Sequence, residues 1–239
     1  MQLFWGSKEG GEKIILEGEE VTHLNKSLRK KAGDLIHVID GSGSVFNCEI
    51  LQMTRSEAVA QILEEKRTEK KWSGTLHIGI ALTKNIDRIE WFVEKAVEMG
   101  IDRISFLNCS RSVKTKIRMD RIHRIVQSSM KQSLNCYLPV VQDNVYFDNI
   151  VVNSDPNNIR LIPNCEEMEK LSLNKLIQSD RDTLILIGPE GDISPEEISL
   201  ALSNGFLAAS MGDTRLRTET AGMMAVAVFQ SNNWGGNKH

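Results

Sequence analysis

Residues 184–224, LILIGPEGDISPEEISLALSNGFLAASMGDTRLRTETAGMM, place two strand-to-helix passages in immediate succession, each turning on glycine, and no other stretch restricts the fold so strongly. The run Thr183-Leu184-Ile185-Leu186-Ile187 is apolar on both faces, which suits a parallel strand covered on both sides rather than a half-exposed antiparallel one. Gly188-Pro189-Glu190-Gly191 breaks that strand. Ser194 then supplies an N-cap, Pro195 the first helical position and Glu197 the reciprocal half of a capping box, and Asn204-Gly205 stops the helix. The second passage repeats the plan: strand 206–211, Gly212, then polar residues 213–220 leading into a helix that starts near Thr218. Over 221–229 that helix is apolar on every side, so it is expected to be buried all round or pressed closely against another helix. Both turns are expected together at the carboxyl edge of one parallel sheet, where bared backbone N–H groups and helix N-termini gather small ligands.

The common nucleotide loops are excluded. G-x-x-x-x-G-K-[ST] is absent, and Gly41-Ser42-Gly43 does not continue as G-x-G-x-x-G. With 41% apolar and 26% charged residues among 239, the chain has the make-up of a globular protein with a substantial core. No apolar run reaches the roughly 20 residues of a membrane span. The first residues lack the basic-then-apolar layout of a secretion signal, so a cytoplasmic location away from membranes is expected. Cys48, Cys109, Cys136 and Cys165 are widely spaced with no C-x-x-C, which favours buried free thiols over a metal site or a disulfide framework. The net charge of −3 hides a segregation: residues 103–131 hold eight Lys or Arg against Asp120 alone, whereas 142–200 hold twelve acidic residues against four basic. A localised basic segment fits a polyanion site, and it fits a solvated helix face equally well.

In chain order, residues 1–70 read as a small β-rich unit. Lys13–Glu17 is a strand, 19–31 a basic amphipathic helix stopped by Gly33, 34–39 and 45–51 a hairpin around Asp40-Gly41-Ser42-Gly43, and 58–63 a further strand completing something barrel-like. The charged tract 64–71 is the expected domain boundary. Beyond it strand and helix alternate, as in an α/β domain: strand 76–82, helix Ile86–Met99 with Gly100 as its stop, strand 103–107, a basic loop 111–118 and helix 120–134 halted before Pro139. Residues 147–152 fit helix or strand, and 158–162 read as a strand ending at Pro163.

Taken together, Ile187-Gly188-Pro189-Glu190-Gly191 with Ser194 and Glu197, then Gly212 and Leu216-Arg217-Thr218-Glu219-Thr220-Ala221, resemble the signature of the ribosomal RNA small-subunit methyltransferase E family of the SPOUT superfamily. The likeness extends over nearly the whole chain through His23, Leu28-Arg29, Gly33-Asp34, Asp40-Gly41-Ser42, Glu94-Lys95, Glu98-Met99-Gly100, Ser110-Arg111-Ser112, Arg121, Gln132-Ser133 and Pro139. The resemblance implies a PUA-like RNA-binding β-barrel over 1–70 and, over 73–239, a SPOUT α/β domain with a parallel sheet and a trefoil knot. It also implies a homodimer, S-adenosylmethionine as cofactor, no metal, and N3-methylation of one uridine of 16S ribosomal RNA, free or within the small ribosomal subunit. A SPOUT enzyme acting on another RNA or base atom, and a catalytically inactive RNA-binding relative, are the alternatives. The chain departs from the family pattern at Asp192-Ile193, where a second glycine and an aromatic are usual, at Thr214-Arg215, where an arginine moves by one position, and at Asn135, where an arginine is usual.

The implied chemistry assigns roles. Uracil N3 is a poor nucleophile until its proton leaves, so the site must stabilise a developing anion or accept that proton. Arg217 is the candidate for the first role, with Glu219 to orient it or act as base and Glu190 as a further carboxylate. The resemblance places the cofactor against Leu161, Ile162 and Pro163, against Gly188, Pro189, Glu190 and Gly191, and against Met211, Gly212, Leu216, Arg217 and Thr218. Arg29, Lys30, Arg111, Lys114 and Lys116 are the candidates for contact with RNA phosphates.

Overall fold

Leu3–Trp5 (β1) and Ser7–Glu9 (β2), separated by Gly6 alone, form opposite edges of a six-stranded sheet in the computed structural model, which describes residues 1–113 and 116–234. The sheet runs β1-β4-β5-β6-β3-β2, with Lys13–Glu17 (β3), Leu35–Ile39 (β4), Ser44–Met53 (β5) and Glu57–Arg67 (β6). Because one residue joins its two edges, the sheet must roll into a barrel. Gly6 is the seam: its N–H donates to Ile39 O at 3.0 Å, and a Cβ there would lie 2.8 Å from Val38 Cγ1 and 3.0 Å from Ile15 O. Alternate residues of the strands point inward, so Ile14, Leu16, Ile36, Val38, Phe46 and Ile50 fill the barrel with Phe4.

The chain divides into two compact units, the first being Met1–Lys70 with Gln127–Leu138. The later segment joins the barrel unit through Gly43 N–H to Cys136 O (2.8 Å) and Tyr137 Oη to Thr68 O (2.6 Å). The helix expected over 19–31 is cut short, to Glu19–Thr22 (α1) and a π-helical turn His23–Ser27. Val21 and Leu24 are buried but Leu28 is not, so no apolar contact extends the helix, and Arg29 turns into the left-handed region at φ 54°. The charged tract 64–71 begins as strand rather than linker, because β6 stays paired with β5 as far as Arg67 opposite Ser44.

The second unit is Lys71–Val126 with Pro139–His239. From Leu76 onward the elements are Leu76–Ala81 (β7), Ile86–Met99 (α2), Arg103–Asn108 (β8), Met119–Ser133 (α3), Val140–Tyr146 (β9), Phe147–Val152 (α4), Ile159–Pro163 (β10), Leu171–Ser172 (β11), Leu173–Leu176 (α5), Thr183–Ile187 (β12), Pro195–Ser203 (α6), Leu207–Ser210 (β13) and Thr218–Asn233 (α7). The strands form one seven-stranded sheet, β11-β13-β10-β12-β7-β8-β9, parallel throughout. Leu184 and Leu186 pack with Ile198, Ala201 and Phe147 of α6 and α4, whereas Ile80 meets Gly222 of α7, so helices cover both faces. That double cover is why β12 is buried at all five positions.

Within the chain α7 is buried along one face only, with Ala227 exposed, so of the two expected arrangements it is close packing against another helix that is found. Its buried face is pressed against α2: a Cβ on Gly222 would lie 2.7 Å from Phe92 Cε2. Cys48, Cys109 and Cys136 are buried free thiols, whereas Cys165 is free but exposed. Burial pushes the Cys48 thiol up to about 11. Among the described residues no helix is long and apolar enough to cross a membrane, and no three His, Cys, Asp or Glu side chains cluster as metal ligands.

A polar chain crosses the sheet inside this unit. His77 Nε2 lies 2.8 Å from Ser105 Oγ, which donates to Gln142 Oε1 at 3.1 Å. Burial, with Arg103 nearby, lowers the His77 pKa from its ordinary 6.5 to about 3. The folded chain thus holds the ring neutral while the unfolded chain protonates it. The stability tied to His77 is complete above about pH 6.5 and is lost as the pH falls from there toward 3. Urea unfolding between pH 7 and pH 4 should show a loss of about 3 kcal/mol that a His77→Gln variant lacks.

Candidate active site

Topology brings the two glycine turns together. β12 and β13 lie on either side of β10, pairing Leu161 with Ile185 and with Leu207. Strands are about 4.8 Å apart, so the turns that leave β12 and β13 start about 10 Å from each other at the same sheet edge. Between them opens a cavity of about 710 Å³, within the size range of small-molecule sites. Its walls come from the end of β10 (Pro163, Asn164, Cys165), the turn after β12 (Ile187 to Glu190, and Asp192) and the loop from Ala209 to Thr218. Gly212, at φ 99°, has nothing within 4 Å of a Cβ position, which leaves the backbone of that loop open to a ligand.

Of the residues proposed to hold a cofactor, Pro163, Gly188, Pro189, Glu190, Met211, Gly212, Leu216, Arg217 and Thr218 border the cavity. Leu161 and Ile162 do not. They are fully buried in β10, where side chains serve the core rather than the sheet edge. Gly191 also turns away, its carbonyl accepting from Arg111 Nη1 at 3.1 Å. Asn164, Cys165, Lys170, Asp192 and Arg215 border the cavity without having been foreseen, because a loop's path is not written in periodicity. Lys170 donates to Asn164 O at 2.8 Å.

The carboxylates divide. Glu190 borders the cavity, accepts from Lys84 N–H at 3.3 Å through Oε2, and has Oε1 3.8 Å from Arg88 Nη1. Glu219 does not line the cavity. It is 8% exposed and its Oε1 lies 3.7 Å from Arg88 Nε, so its ionic partner among the described residues is Arg88 and not Arg217. Arg217 is exposed at the cavity wall, in the N-cap position of α7, with no capping bond from its side chain. Thr218 Oγ1 donates to Gly188 O at 3.1 Å and Arg215 Nη2 reaches Glu190 O at 3.4 Å, which ties the second turn to the first. Arg88 is the residue the sequence reading missed. The available signal was a cation three residues past the N-cap of α2, where the helix dipole disfavours it.

Two departures from the family pattern have local explanations. Asp192 takes φ 64°, a conformation easiest for glycine and tolerated by Asp, and its carboxylate accepts from Cys165 N–H (2.8 Å) and Ile193 N–H (2.9 Å). The aspartate therefore makes the turn a glycine would make and also fastens residue 165 to it. Asn135 is buried and accepts from Tyr137 N–H at 3.1 Å, closing the turn after α3. Beneath the first turn, Glu197 completes the capping box with Ser194 and accepts from both Ser110 N–H (2.8 Å) and Ser110 Oγ (2.9 Å). Burial, followed by the Glu197 charge, pushes the neighbouring Cys109 thiol up to about 12.

Among the residues proposed for RNA, Arg29, Arg111 and Lys116 are exposed, and Lys30 donates to Leu35 O at 3.2 Å. Lys114 lies outside the described residues. Much of the basic segment is spent on ion pairs, Arg118 and Arg124 with Asp120 and Arg121 with Glu90.

Comparison with known proteins decides the family. The model of an RNA methyltransferase domain matches residues 69–230, and that of an RNA methyltransferase PUA domain matches residues 16–63. A structure of ribosomal RNA small subunit methyltransferase E from Neisseria gonorrhoeae bound to S-adenosyl methionine superposes with a TM-score of 0.83, at 26% identity over 97% of each chain. The chain belongs to the ribosomal RNA small subunit methyltransferase E family. A probable rRNA-methyltransferase from Porphyromonas gingivalis superposes with a TM-score of 0.91, at 34% identity over 97% of this chain and 98% of the other. The family member of Bacillus subtilis is 24% identical, over 90% of this chain and 88% of its own. The α/β fold with a parallel sheet and an N-terminal PUA domain is thus that of the family.

Proposed function

We propose that this chain is an S-adenosylmethionine-dependent methyltransferase that methylates N3 of a uridine in 16S ribosomal RNA. The observation that carries the reading is the cavity between the two turns, in a chain of a family whose Neisseria gonorrhoeae member was solved with that cofactor. The cavity suits the molecule chemically. Ile187, Ala209 and Leu216 offer apolar surface for a purine, the absence of a side chain at Gly212 leaves room for the ligand, Lys170 suits a carboxylate, and Asp192 suits a cationic group. When bound, the cofactor supplies an electrophilic methyl group on a sulfonium. What the chain must do is bring the base within reach, out of its stack, and stabilise it as N3 loses its proton. Arg217 is assigned the stabilising role as a forked cation at the cavity wall. Glu190 rather than Glu219 is assigned the proton, since Glu190 borders the cavity. Residues 1–70 act as the PUA-like RNA-binding domain and 73–239 as the SPOUT domain with its knot, in a cytoplasmic homodimer. Arg29, Lys30, Arg111, Lys114 and Lys116 contact phosphates.

Calorimetry with S-adenosylmethionine should show one site per chain, and an absence of binding would sink the enzymatic reading. Ribosomal RNA from cells lacking the protein should lose one N3-methyluridine. An unchanged content would leave a methyltransferase with a different target.

A further inference from the structure

Three charged side chains meet beside the cavity. Arg88, from the first turn of α2, lies between Glu219 in the first turn of α7 (3.7 Å) and Glu190 in the turn after β12 (3.8 Å). Its position is locally unfavourable, since the N-terminus of a helix repels a cation. Glu219 is equally unusual, being 8% exposed with its Oε2 fully buried and without a hydrogen-bond partner. A buried carboxylate is costly unless a cation faces it. Arg88 therefore answers two demands at once: it neutralises the buried Glu219, and it presents Nη1 to Glu190. The Lys84 N–H donates to the other oxygen of Glu190 at 3.3 Å, so at the cavity wall the Glu190 carboxylate has a backbone donor on one oxygen and a cation facing the other.

We propose that Arg88 is a positioning residue for methyl transfer, which by bridging the buried carboxylate of Glu219 to that of Glu190 fixes Glu190 at the edge of the cavity. This rests on the proton-accepting role given to Glu190 above. Arg88 lies outside the cavity wall and is not assigned contact with substrate or cofactor.

The test is a double-mutant cycle on the full chain, with tritiated S-adenosylmethionine and small ribosomal subunits from cells lacking the protein. Arg88→Ala should lower kcat by about 30- to 100-fold, the scale of a misplaced catalytic group, while the cofactor Kd and the KM for subunits stay within about threefold. Arg88→Lys should recover about half of that loss on a logarithmic scale, since it restores the charge without the fork. In a Glu190→Gln background Arg88→Ala should cost less than about threefold more, because residues acting as a unit are not additive. A kcat for Arg88→Ala within threefold of the unmodified chain, or a full multiplicative loss in the Glu190→Gln background, would overturn the proposal. Urea midpoints read the bridge without turnover: Arg88→Ala and Glu219→Gln should be non-additive, and additive shifts would show that no bridge exists. Failure of the unmodified chain to methylate subunits would instead count against the functional reading, with the urea cycle still deciding the bridge.

Discussion

Arg217→Ala is expected to bind S-adenosylmethionine within about threefold of the unmodified affinity and to lose roughly 10²- to 10³-fold in turnover, the scale seen when one charge-stabilising donor is removed from an active site. The separation of the two effects follows from where the residue sits. Arg217 is the N-cap residue of α7, yet its side chain makes no capping bond, so truncation leaves the start of the helix as it was. Its backbone carbonyl still accepts from Ala221 N–H at 2.8 Å. What disappears is a guanidinium exposed at the cavity wall, whose forked donors no other residue type reproduces. Calorimetry together with single-turnover methyl transfer measures both quantities. Turnover within threefold of the unmodified chain would remove Arg217 from the mechanism, and a lost cofactor site would mean that the residue holds the cofactor instead.

The second large effect is on stability. Glu197→Ala should destabilise the second unit by about 2–4 kcal/mol, because it strips acceptors from three donors at once and leaves the N–H of the buried Ser194 unpaired. The carboxylate takes Ser110 N–H, Ser110 Oγ and Ser194 N–H within 3.0 Å, and it is 8% exposed. One side chain thereby caps α6 and fastens the loop after β8 to the turn that walls the cavity. A fall of roughly 10 °C in Tm is expected for a chain of this size, with loss of cofactor affinity as the Gly188 turn loosens. A Tm within about 2 °C of the unmodified chain would show that the loop is held by other contacts. Glu197→Gln should fall between the two, since an amide oxygen can replace one acceptor and not the pair.

Much of this was legible along the chain. The capping box at Ser194 and Glu197, the helix Ile86–Met99 and its stop at Gly100, and the buried strand Thr183–Ile187 appear as read, because each is encoded by contacts a few residues apart or by burial on both faces. Elements without such a code were not foreseen. β1 and β2 are three residues each, and β9 is an edge strand whose exposed positions carry no apolar alternation. The helix over 19–31 failed for the opposite reason. Its apolar spacing was present, but Leu28 finds no core to enter, and spacing without a surface to pack on does not sustain a helix.

The chain's own order of residues was enough to specify two glycine turns, a helix start after each, and the charged groups between Glu190 and Glu219, since turns and caps are settled by neighbours. It could not specify that β12 and β13 insert on either side of β10, nor that a cation in the first turn of α2 arrives between two carboxylates more than 100 residues away in sequence. Those juxtapositions depend on which strands pair and which helix faces share a core. They are decided by burial summed over the whole fold, a quantity that no local window of sequence contains.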